Sequence, residues 1–304
     1  MSASFVAEDP EVSRFMITRL KSVAPWQLKI LLKLAIGRLP VPHRVWVKLG
    51  IFVHGARTPG EYVDLVLRHR AASPLERDFT VLELGPGESA ASALVMAAAG
   101  ARRTYLSDVG RFAAEDPAAY AATAAALRER GLEPVDPAAH ATLDDLLAAC
   151  RAEYLTGGLA DLRRIPTGSV DLIWSHAVFE HVRLTELPAL LAELRRVSSH
   201  RSISSHAIDL KDHLSGGLHN LRFARRVWES MAWAGFYTNR LRRQEFLEAF
   251  RRAGFRVERE ATTSWTELPL EREKLAREFR RHPESELLVH ELSVVMTPER
   301  ATAP

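Results

Sequence analysis

The chain has 304 residues, 47% of them hydrophobic, and its formal net charge is +3. This composition can form a substantial core, and the near balance of charge gives no reason to expect a nucleic-acid partner. The single cysteine, Cys150, excludes an internal disulfide, and the N-terminus lacks the apolar stretch of a secretory signal. We therefore expect a cytoplasmic protein.

Residues 1–78 are predicted to form a helical cap or lid, because prolines separate short amphipathic helices there. No acidic residue occurs between Glu11 and Glu61, whereas basic residues are frequent and Trp26 and Trp46 lie among them. Two interpretations stay open. The basic face is either solvated, or it meets an anionic or lipid-linked substrate or a membrane surface.

From about residue 79 to residue 210, short strands alternate with helices, which is the pattern of a parallel sheet with right-handed crossovers. The predicted strands are 80–84, 103–107, 154–156, 170–175 and 203–210. The predicted helices between them are 89–99, 117–130, 143–151 and 184–197.

The remainder, through residue 304, begins with an insertion at about 211–241. A helix at 242–253, a strand at 256–261, a charged helix around 271–281 and a strand at 287–296 follow. A last helix followed by two strands is how a parallel sheet acquires an antiparallel edge. Residues 79–304 are therefore predicted to form one doubly wound, mostly parallel α/β domain.

The strongest local signal is the segment 81–89, VLELGPGES. A buried strand leads directly into Gly85-Pro86-Gly87 and a helix of small residues, at the sheet edge where open α/β sheets bind ligands. The same glycines, with Asp108 about 20 residues later, also fit a dinucleotide-binding fingerprint. An NAD(P)-dependent oxidoreductase is therefore an alternative, and so is a cofactor-binding protein without catalytic activity.

Further residues favour a different cofactor. Glu83 would attract a sulfonium and an ammonium, whereas a pyrophosphate has no use for it. The segment 161–175, DLRRIPTGSVDLIWS, resembles the D-x-x-x-LP-x-GS-F-D-L-V pattern of class I S-adenosylmethionine-dependent methyltransferases, and 180–182, EHV, follows at the superfamily's spacing. The resemblance covers about 80–197 well and extends more loosely to residue 296. It implies S-adenosylmethionine as cofactor and a Rossmann-like sheet of seven strands.

The resemblance also implies roles for residues at the strand ends. The glycine turn would pass under the methionine part of the cofactor, and Glu83 would order its amino end. Asp108 would hold the ribose, and Asp161 with the backbone of Leu162 would meet the adenine. Turn and helix-cap roles are the alternatives for the two aspartates. The cofactor-binding candidates are Glu83, Gly85, Pro86, Gly87, Asp108, Val109, Asp161, Leu162, Ser175 and His176.

The candidates for proton removal lie in the segment 204–213, where the fifth predicted strand ends. His206 is the first choice for a general base, His213 is the second, and Asp209 lies between them. These residues, with Asp212, instead brace the loop or bind a divalent cation in the alternative interpretations, although no metal is predicted. The superfamily's L-K-P-G-G turn before this strand is replaced by residues 198–202, SSHRS, which leaves the register there open.

Four residues are predicted to contact the acceptor: Tyr237, Asn239, Arg240 and His181. Polar groups on aromatic surroundings are what a small-molecule pocket needs. The amino-methylating Asn-Pro-Pro-Tyr signature does not follow the fourth predicted strand. We therefore predict methyl transfer to a hydroxyl oxygen of a small molecule or saccharide.

Overall fold

A computed structural model describes residues 27, 28, 30, 31, 57–231 and 237–299. Most of the predicted cap, with its basic face and its suggested contact with lipid or membrane, lies outside the described residues. The same holds for residues 232–236 of the predicted insertion. Within the described part of the chain, no helix is long and apolar enough to cross a membrane.

The chain divides into two compact units. The larger contains Arg57–Leu210, Asn239–Glu267 and residues 283–299, and the smaller contains Lys211–Thr238 and Leu268–His282. Residues 57–78 thus belong with the larger unit, although the sequence grouped them with the cap. The segment 268–282 joins the smaller unit, which the sequence did not indicate.

Seven strands form the central sheet of the larger unit. They are β1 (Phe79–Leu84), β2 (Ala101–Ser107), β3 (Ala152–Leu155), β4 (Val170–His176), β5 (Ser198–Asp209), β6 (Phe255–Ser264) and β7 (Val289–Pro298). Their order is β3-β2-β1-β4-β5-β7-β6. Strands β1 to β5 pair in parallel, and β7 is antiparallel to both β5 and β6. The predicted mostly parallel sheet with an antiparallel edge is confirmed.

Helices cover both faces of this sheet. In the larger unit they are α1 (Pro59–Arg70), α2 (Ala91–Ala98), α3 (Ala121–Arg128), α4 (Leu143–Ala149), α5 (Leu159–Leu162), α6 (Leu187–Val197), α8 (Arg243–Arg252) and α9 (Glu284–Leu288). Helix α7 (Arg225–Glu229) belongs to the smaller unit. Val66, Leu94 and Leu127 of α1, α2 and α3 form a core with one face. Leu191 of α6 and Phe250 of α8 form a core with the other face. All six residues of β1 are buried, as expected for a strand covered on both faces.

Local sequence explains how α1 begins. Thr58 is its N-cap, and the Thr58 side chain accepts a hydrogen bond from the Glu61 backbone while Glu61 returns one to the Thr58 backbone. Pro59 fills the first helical position, where no backbone donor is needed. The buried side chains of Val63 and Val66 lie on the face of α1 that packs into the core of the larger unit.

Two predicted elements differ from the structure. The charged helix expected at 271–281 is wrong, because only the short turns Arg272–Lys274 and Phe279–Arg281 form there. Its buried residues Leu275 and Phe279 have helical spacing, but the Ala276 backbone N–H donates to the Leu221 carbonyl outside the segment, and the Arg272 side chain donates to the Arg280 and His282 carbonyls. Strand β5 starts at Ser198, five residues before the predicted start, because Ser199 and Arg201 both donate to Asp171 of β4.

Candidate functional site

A glycine turn follows β1 at its carboxyl end. Gly85 and Gly87 both have φ of +65°, a conformation that side-chain-bearing residues rarely adopt. A Cβ on Gly85 would come within 2.6 Å of Val178, whereas a Cβ on Gly87 would meet nothing within 4 Å. Packing therefore requires Gly85, and Gly87 borders open space where a ligand can approach the backbone.

Asp108, directly after β2, lies against this turn. Its carboxylate accepts hydrogen bonds from the backbone N–H of Gly87 at 3.0 Å and of Val109 at 2.7 Å. Burial raises its pKa, and the two backbone donors oppose that rise. Each carboxylate oxygen has a further lone pair for a ligand hydroxyl. The Val109 side chain is 82% exposed and can cover the flat face of a base.

The loop before α5 adjoins Asp108. Gly158 donates its backbone N–H to the Asp108 carbonyl at 2.9 Å. The Asp161 carboxylate accepts from the Gly157 backbone N–H at 2.8 Å, so it braces its own loop from within α5, whose N-cap is Gly158 and not Asp161. Leu162 is buried in the core, which leaves only its backbone for a ligand. The roles of Asp161 and Leu162 toward adenine stay predictions.

Glu83 differs from its expected state. Its carboxyl is buried against α2 and accepts a hydrogen bond from the Ser92 hydroxyl. Burial raises its pKa to about 8, so the carboxyl carries a proton at neutral pH. The sequence argument treated Glu83 as an anion; here it is mostly neutral until a cation approaches.

The end of β4 carries two predicted residues that point in different directions. Ser175 is fully buried, and its hydroxyl hydrogen-bonds the His206 Nδ1 atom at 2.8 Å. His176 is partly exposed, and the Arg57 guanidinium donates to its Nε2 atom at 2.6 Å. Because a guanidinium only donates, Nε2 is the unprotonated nitrogen and Nδ1 carries the hydrogen. Burial, and then Arg57 and Arg68, lower the His176 pKa to about 4.

His206 is not at the strand end where the sequence placed it. It lies within β5 with 1% of its surface exposed, and its ring contacts Phe179 with 4.8 Å between the ring centres. Burial lowers its pKa to about 3. The prediction that His206 is an accessible general base is contradicted by this position, because an acceptor has no access to the ring.

The other two catalytic candidates lie farther along. Asp209 is partly buried at the end of β5 and pairs in register with Glu291. His213 lies in the smaller unit, in a loop organised by Asp212. The buried Asp212 carboxylate accepts from the backbone N–H groups of Leu214, Ser215, Gly216 and His219. Asp212 therefore braces the loop, and the roles of Asp209 and His213 stay predictions.

Two of the residues predicted to contact the acceptor are structural. Asn239 is 2% exposed, and its side-chain amide donates to the carbonyls of Phe179 and Val182 at 2.7 and 3.0 Å. Tyr237 is buried in the smaller unit, where its hydroxyl donates to Glu229 at 3.0 Å. These contacts leave neither side chain directed at a ligand, so both assignments are wrong.

Arg240 and His181 keep their predicted roles as proposals. Arg240 is 4% exposed and has a positive φ of +63°, a backbone state that favours glycine. His181 is exposed in the turn after β4. Because strained backbone often occurs at functional sites, Arg240 is a reasonable place to test.

No sequence motif indicated a role for His69, which lies on α1. Its Nδ1 atom hydrogen-bonds the Ser205 hydroxyl of β5 at 2.8 Å, and the two residues are 136 positions apart in sequence. Burial, followed by the positive charges nearby, lowers its pKa to about 3. His69 and His176 both border a cavity of about 670 Å³ in the larger unit. No local motif encodes such a pairing, which depends on how α1 packs across β4 and β5.

The sheet order, the glycine turn and the acidic residue after β2 define a Rossmann-like α/β protein with a nucleotide crevice. Residues 82–203 match the family described as a methyltransferase domain. The match agrees with the resemblance to the class I S-adenosylmethionine-dependent methyltransferases, and it favours S-adenosylmethionine as the cofactor over the nicotinamide of the oxidoreductase alternative. No curated protein matches the chain.

Solved methyltransferases share the fold at low identity. The 1,6-didemethyltoxoflavin-N1-methyltransferase of Burkholderia thailandensis is 12% identical over 99% of this chain and 94% of that chain, with a TM-score of 0.44. The magnesium protoporphyrin IX methyltransferase of Synechocystis PCC 6803 is 14% identical over 79% and 83%, with a TM-score of 0.43. A TehB-like methyltransferase of Corynebacterium glutamicum is 14% identical over 84% and 95%, with a TM-score of 0.41. These similarities do not identify the acceptor.

Proposed function

We propose that the chain transfers the methyl group of S-adenosylmethionine to a hydroxyl oxygen of a small molecule or saccharide. The observation that carries the proposal is the neutral imidazole of His176, at the carboxyl end of β4. Ser175 pairs in register with Leu84, so His176 lies level with Gly85 in the neighbouring strand. A proton acceptor therefore stands beside the turn that holds the cofactor.

The open space over Gly87 and the carboxylate of Asp108 fit the cofactor. In this proposal Gly85 and Gly87 hold its methionine part by their backbone, Asp108 holds the ribose hydroxyls, and Val109 covers the adenine. When bound, the cofactor supplies a methyl group activated by a positively charged sulfur. The chain's own residues then have to position the acceptor, exclude water and remove the hydroxyl proton.

His176 replaces His206 as the proposed base. An acceptor hydroxyl that donates to Nε2 would take the place of the present Arg57 contact. As the oxygen is methylated, its proton passes to Nε2, and the imidazole becomes positively charged until solvent removes that proton. With a pKa of about 4 the imidazole is in its proton-accepting form throughout the physiological range.

Substitution of His176 tests this role. His176→Gln keeps a polar side chain but removes the base, so turnover should fall by about 10²- to 10⁴-fold. The affinity for S-adenosylhomocysteine should change by no more than about twofold, because the imidazole meets the acceptor. Turnover by the unmodified protein should stay level from pH 8 to about 5 and fall toward pH 4. The assay is methyl transfer to sets of phenols and glycosides, with the methylated atom identified by mass spectrometry and NMR.

His200→Gln is the matched control, because His200 is an exposed histidine at the opposite end of β5. It should retain full turnover. Full turnover by His176→Gln would remove the base assignment. A product methylated on nitrogen or carbon would overturn the proposed oxygen acceptor while leaving the methyltransferase assignment intact.

A further inference from the structure

Strands β5, β6 and β7 form the floor of the cavity of about 670 Å³, and helix α1 forms its wall. Alternate residues Ser205 and Ala207 of β5 face it, and Ser293, the register partner of Ala207 on β7, continues the floor. Leu65 and His69 of α1 form the wall. The Phe179 and Phe250 side chains that contact the His206 ring do not line the cavity, although His206 itself borders it.

His176 connects the cavity with the cofactor crevice. It lines the cavity and also stands level with Gly85, in the turn that follows the neighbouring strand β1. Its Nδ1 atom is buried and has no hydrogen-bond partner among the described residues. An unpaired buried donor at this point favours a ligand that brings an acceptor atom.

The polar side chains inside the cavity are uncharged. Ser205, Ser293, His69 and His176 supply hydroxyl and imidazole groups among apolar neighbours such as Leu65 and Ala207. Burial lowers the pKa of His69 to about 3 and of His176 to about 4, so neither imidazole is charged at neutral pH. These groups form hydrogen bonds with hydroxyl groups, and the positive charge beside them is the Arg57 guanidinium on His176.

Charged side chains at the rim nearly balance. The rim carries two arginines and three glutamates, which are Arg68, Arg259, Glu258, Glu260 and Glu291. Glu258 forms an ion pair with Arg256 at 2.6 Å, and Glu260 forms one with Arg243 at 2.5 Å. The rim therefore has no large excess of positive or negative charge that would select a strongly charged ligand.

We propose that this cavity is the acceptor pocket and that it takes one uncharged ring compound bearing hydroxyl groups, as phenols and glycosides do. The proposal rests on the proposed function, since His176 must receive the proton of the hydroxyl that reacts. The volume lies within the range of about 300–1,000 Å³ that small-molecule sites occupy. A second hydroxyl of the ligand bonds the His69–Ser205 pair, and the ring lies over Ala207 and Leu65.

Binding measurements test the pocket directly. The probes are catechol and methyl β-glucoside, each compared with a carboxylated analogue, 3,4-dihydroxybenzoate and methyl β-glucuronide. Affinities are measured by calorimetry with the protein saturated with S-adenosylhomocysteine. At least one uncharged probe should bind, and its carboxylated analogue should bind at least tenfold more weakly. Which uncharged probe binds decides between a phenolic and a saccharide acceptor.

Filling the cavity should block the probes. Ala207→Leu and Ser293→Leu place extra carbon atoms on the floor, and each should weaken probe binding at least tenfold without changing S-adenosylhomocysteine affinity. Ser293 is exposed on the cavity floor, so Ser293→Leu can fold even where Ala207→Leu does not. The matched control is Thr262→Leu on β6. Thr262 follows the lining residue Ala261 but does not line the cavity itself, so this variant should bind the probes normally.

Three results would overturn the pocket: no uncharged probe binds, the carboxylated analogues bind best, or Ser293→Leu leaves probe affinity unchanged. The proposed function fails differently. If probes bind in the cavity but His176→Gln keeps full turnover, the pocket stands and the base does not. If His176→Gln is inactive but cavity variants bind probes normally, the base stands and the acceptor binds elsewhere.

Discussion

At the scale of single residues, Glu83 shows how burial changes a functional expectation. An acid two positions before the glycine turn suits a cofactor with an ammonium and a sulfonium group. In the free protein, however, the Glu83 carboxyl is buried beside Ser92, and its pKa of about 8 keeps it protonated at pH 7. An acid suited to a positively charged cofactor and a protonated carboxyl in the free protein are compatible if Glu83 ionises only when the cofactor binds.

This coupling predicts proton release. At pH 7, S-adenosylmethionine binding should release nearly one more proton from the unmodified protein than from Glu83→Gln, which has no proton to lose. The measurement is calorimetry at pH 7 in buffers that differ in ionisation enthalpy. Glu83→Asn, which is shorter and neutral, should behave like Glu83→Gln in proton release. Equal proton release by the unmodified protein and Glu83→Gln would show that Glu83 does not respond to the cofactor's charge.

Histidines illustrate which residue roles the sequence could and could not predict. Gly85, Gly87 and Asp108 were found because their positions after β1 and β2 are encoded locally, by a strand followed by a turn. His206 was misplaced because its position in a predicted strand does not tell which face of the sheet its ring occupies, and in β5 the ring lies against Phe179 and Phe250 in the core. His69 was missed because its partner, Ser205, is brought to it only by the packing of α1.

At the scale of elements, the turn after β1 contains two glycines, and each is needed for a different reason. Gly85 and Gly87 share a φ of +65°, but only Gly85 has a neighbour, Val178, in the space of a Cβ. Any alanine at such a φ costs roughly 1 kcal/mol of stability. At Gly85 a steric clash adds to that cost, whereas at Gly87 the Cβ projects into ligand space.

We therefore expect the two alanine variants to differ in what they lose. Gly87→Ala should lose roughly 1 kcal/mol of unfolding free energy and at least tenfold in S-adenosylhomocysteine affinity, because the methyl group obstructs the approach of the cofactor. Gly85→Ala should lose clearly more stability. Urea unfolding and calorimetry measure the two quantities. Gly131→Ala is the matched control for Gly87→Ala, since Gly131 has a φ of +71° and nothing within 4 Å of its Cβ position.

Gly131→Ala should show the same loss of stability and normal cofactor affinity. If Gly87→Ala and Gly131→Ala bind S-adenosylhomocysteine equally well, the cofactor does not pass over Gly87.

The strand and helix pattern of the sheet could be predicted for the same local reason as this turn. The segment 271–281 could not, because Leu275 and Phe279 have helical spacing, whereas the hydrogen bond from the Ala276 N–H to the Leu221 carbonyl joins residues far apart in sequence.

At the scale of the whole molecule, buried histidines link stability to pH. His69 and His206 are each buried in the neutral form, with pKa values of about 3, whereas an unfolded histidine titrates near 6.5. Above pH 6.5 both states are neutral and stability is at its full value. As the pH falls below 6.5, the unfolded chain binds protons that the folded chain does not, so stability is lost progressively until about pH 3.

Removing one of these histidines should flatten that dependence. In the double variant Ser175→Ala/His206→Phe, the new ring lies between Phe179 and Phe250 and no hydroxyl is left unpaired. Between pH 6 and 4 this variant should lose less unfolding free energy than the unmodified protein, by about 1.4 kcal/mol for each pH unit. Urea unfolding at several pH values measures the two slopes, and His200→Gln, an exposed histidine on the same strand, should keep the unmodified slope. Parallel profiles for the double variant and the unmodified protein would mean that His206 takes up a proton in the folded state. The methyltransferase core would then not depend on a neutral imidazole at that position.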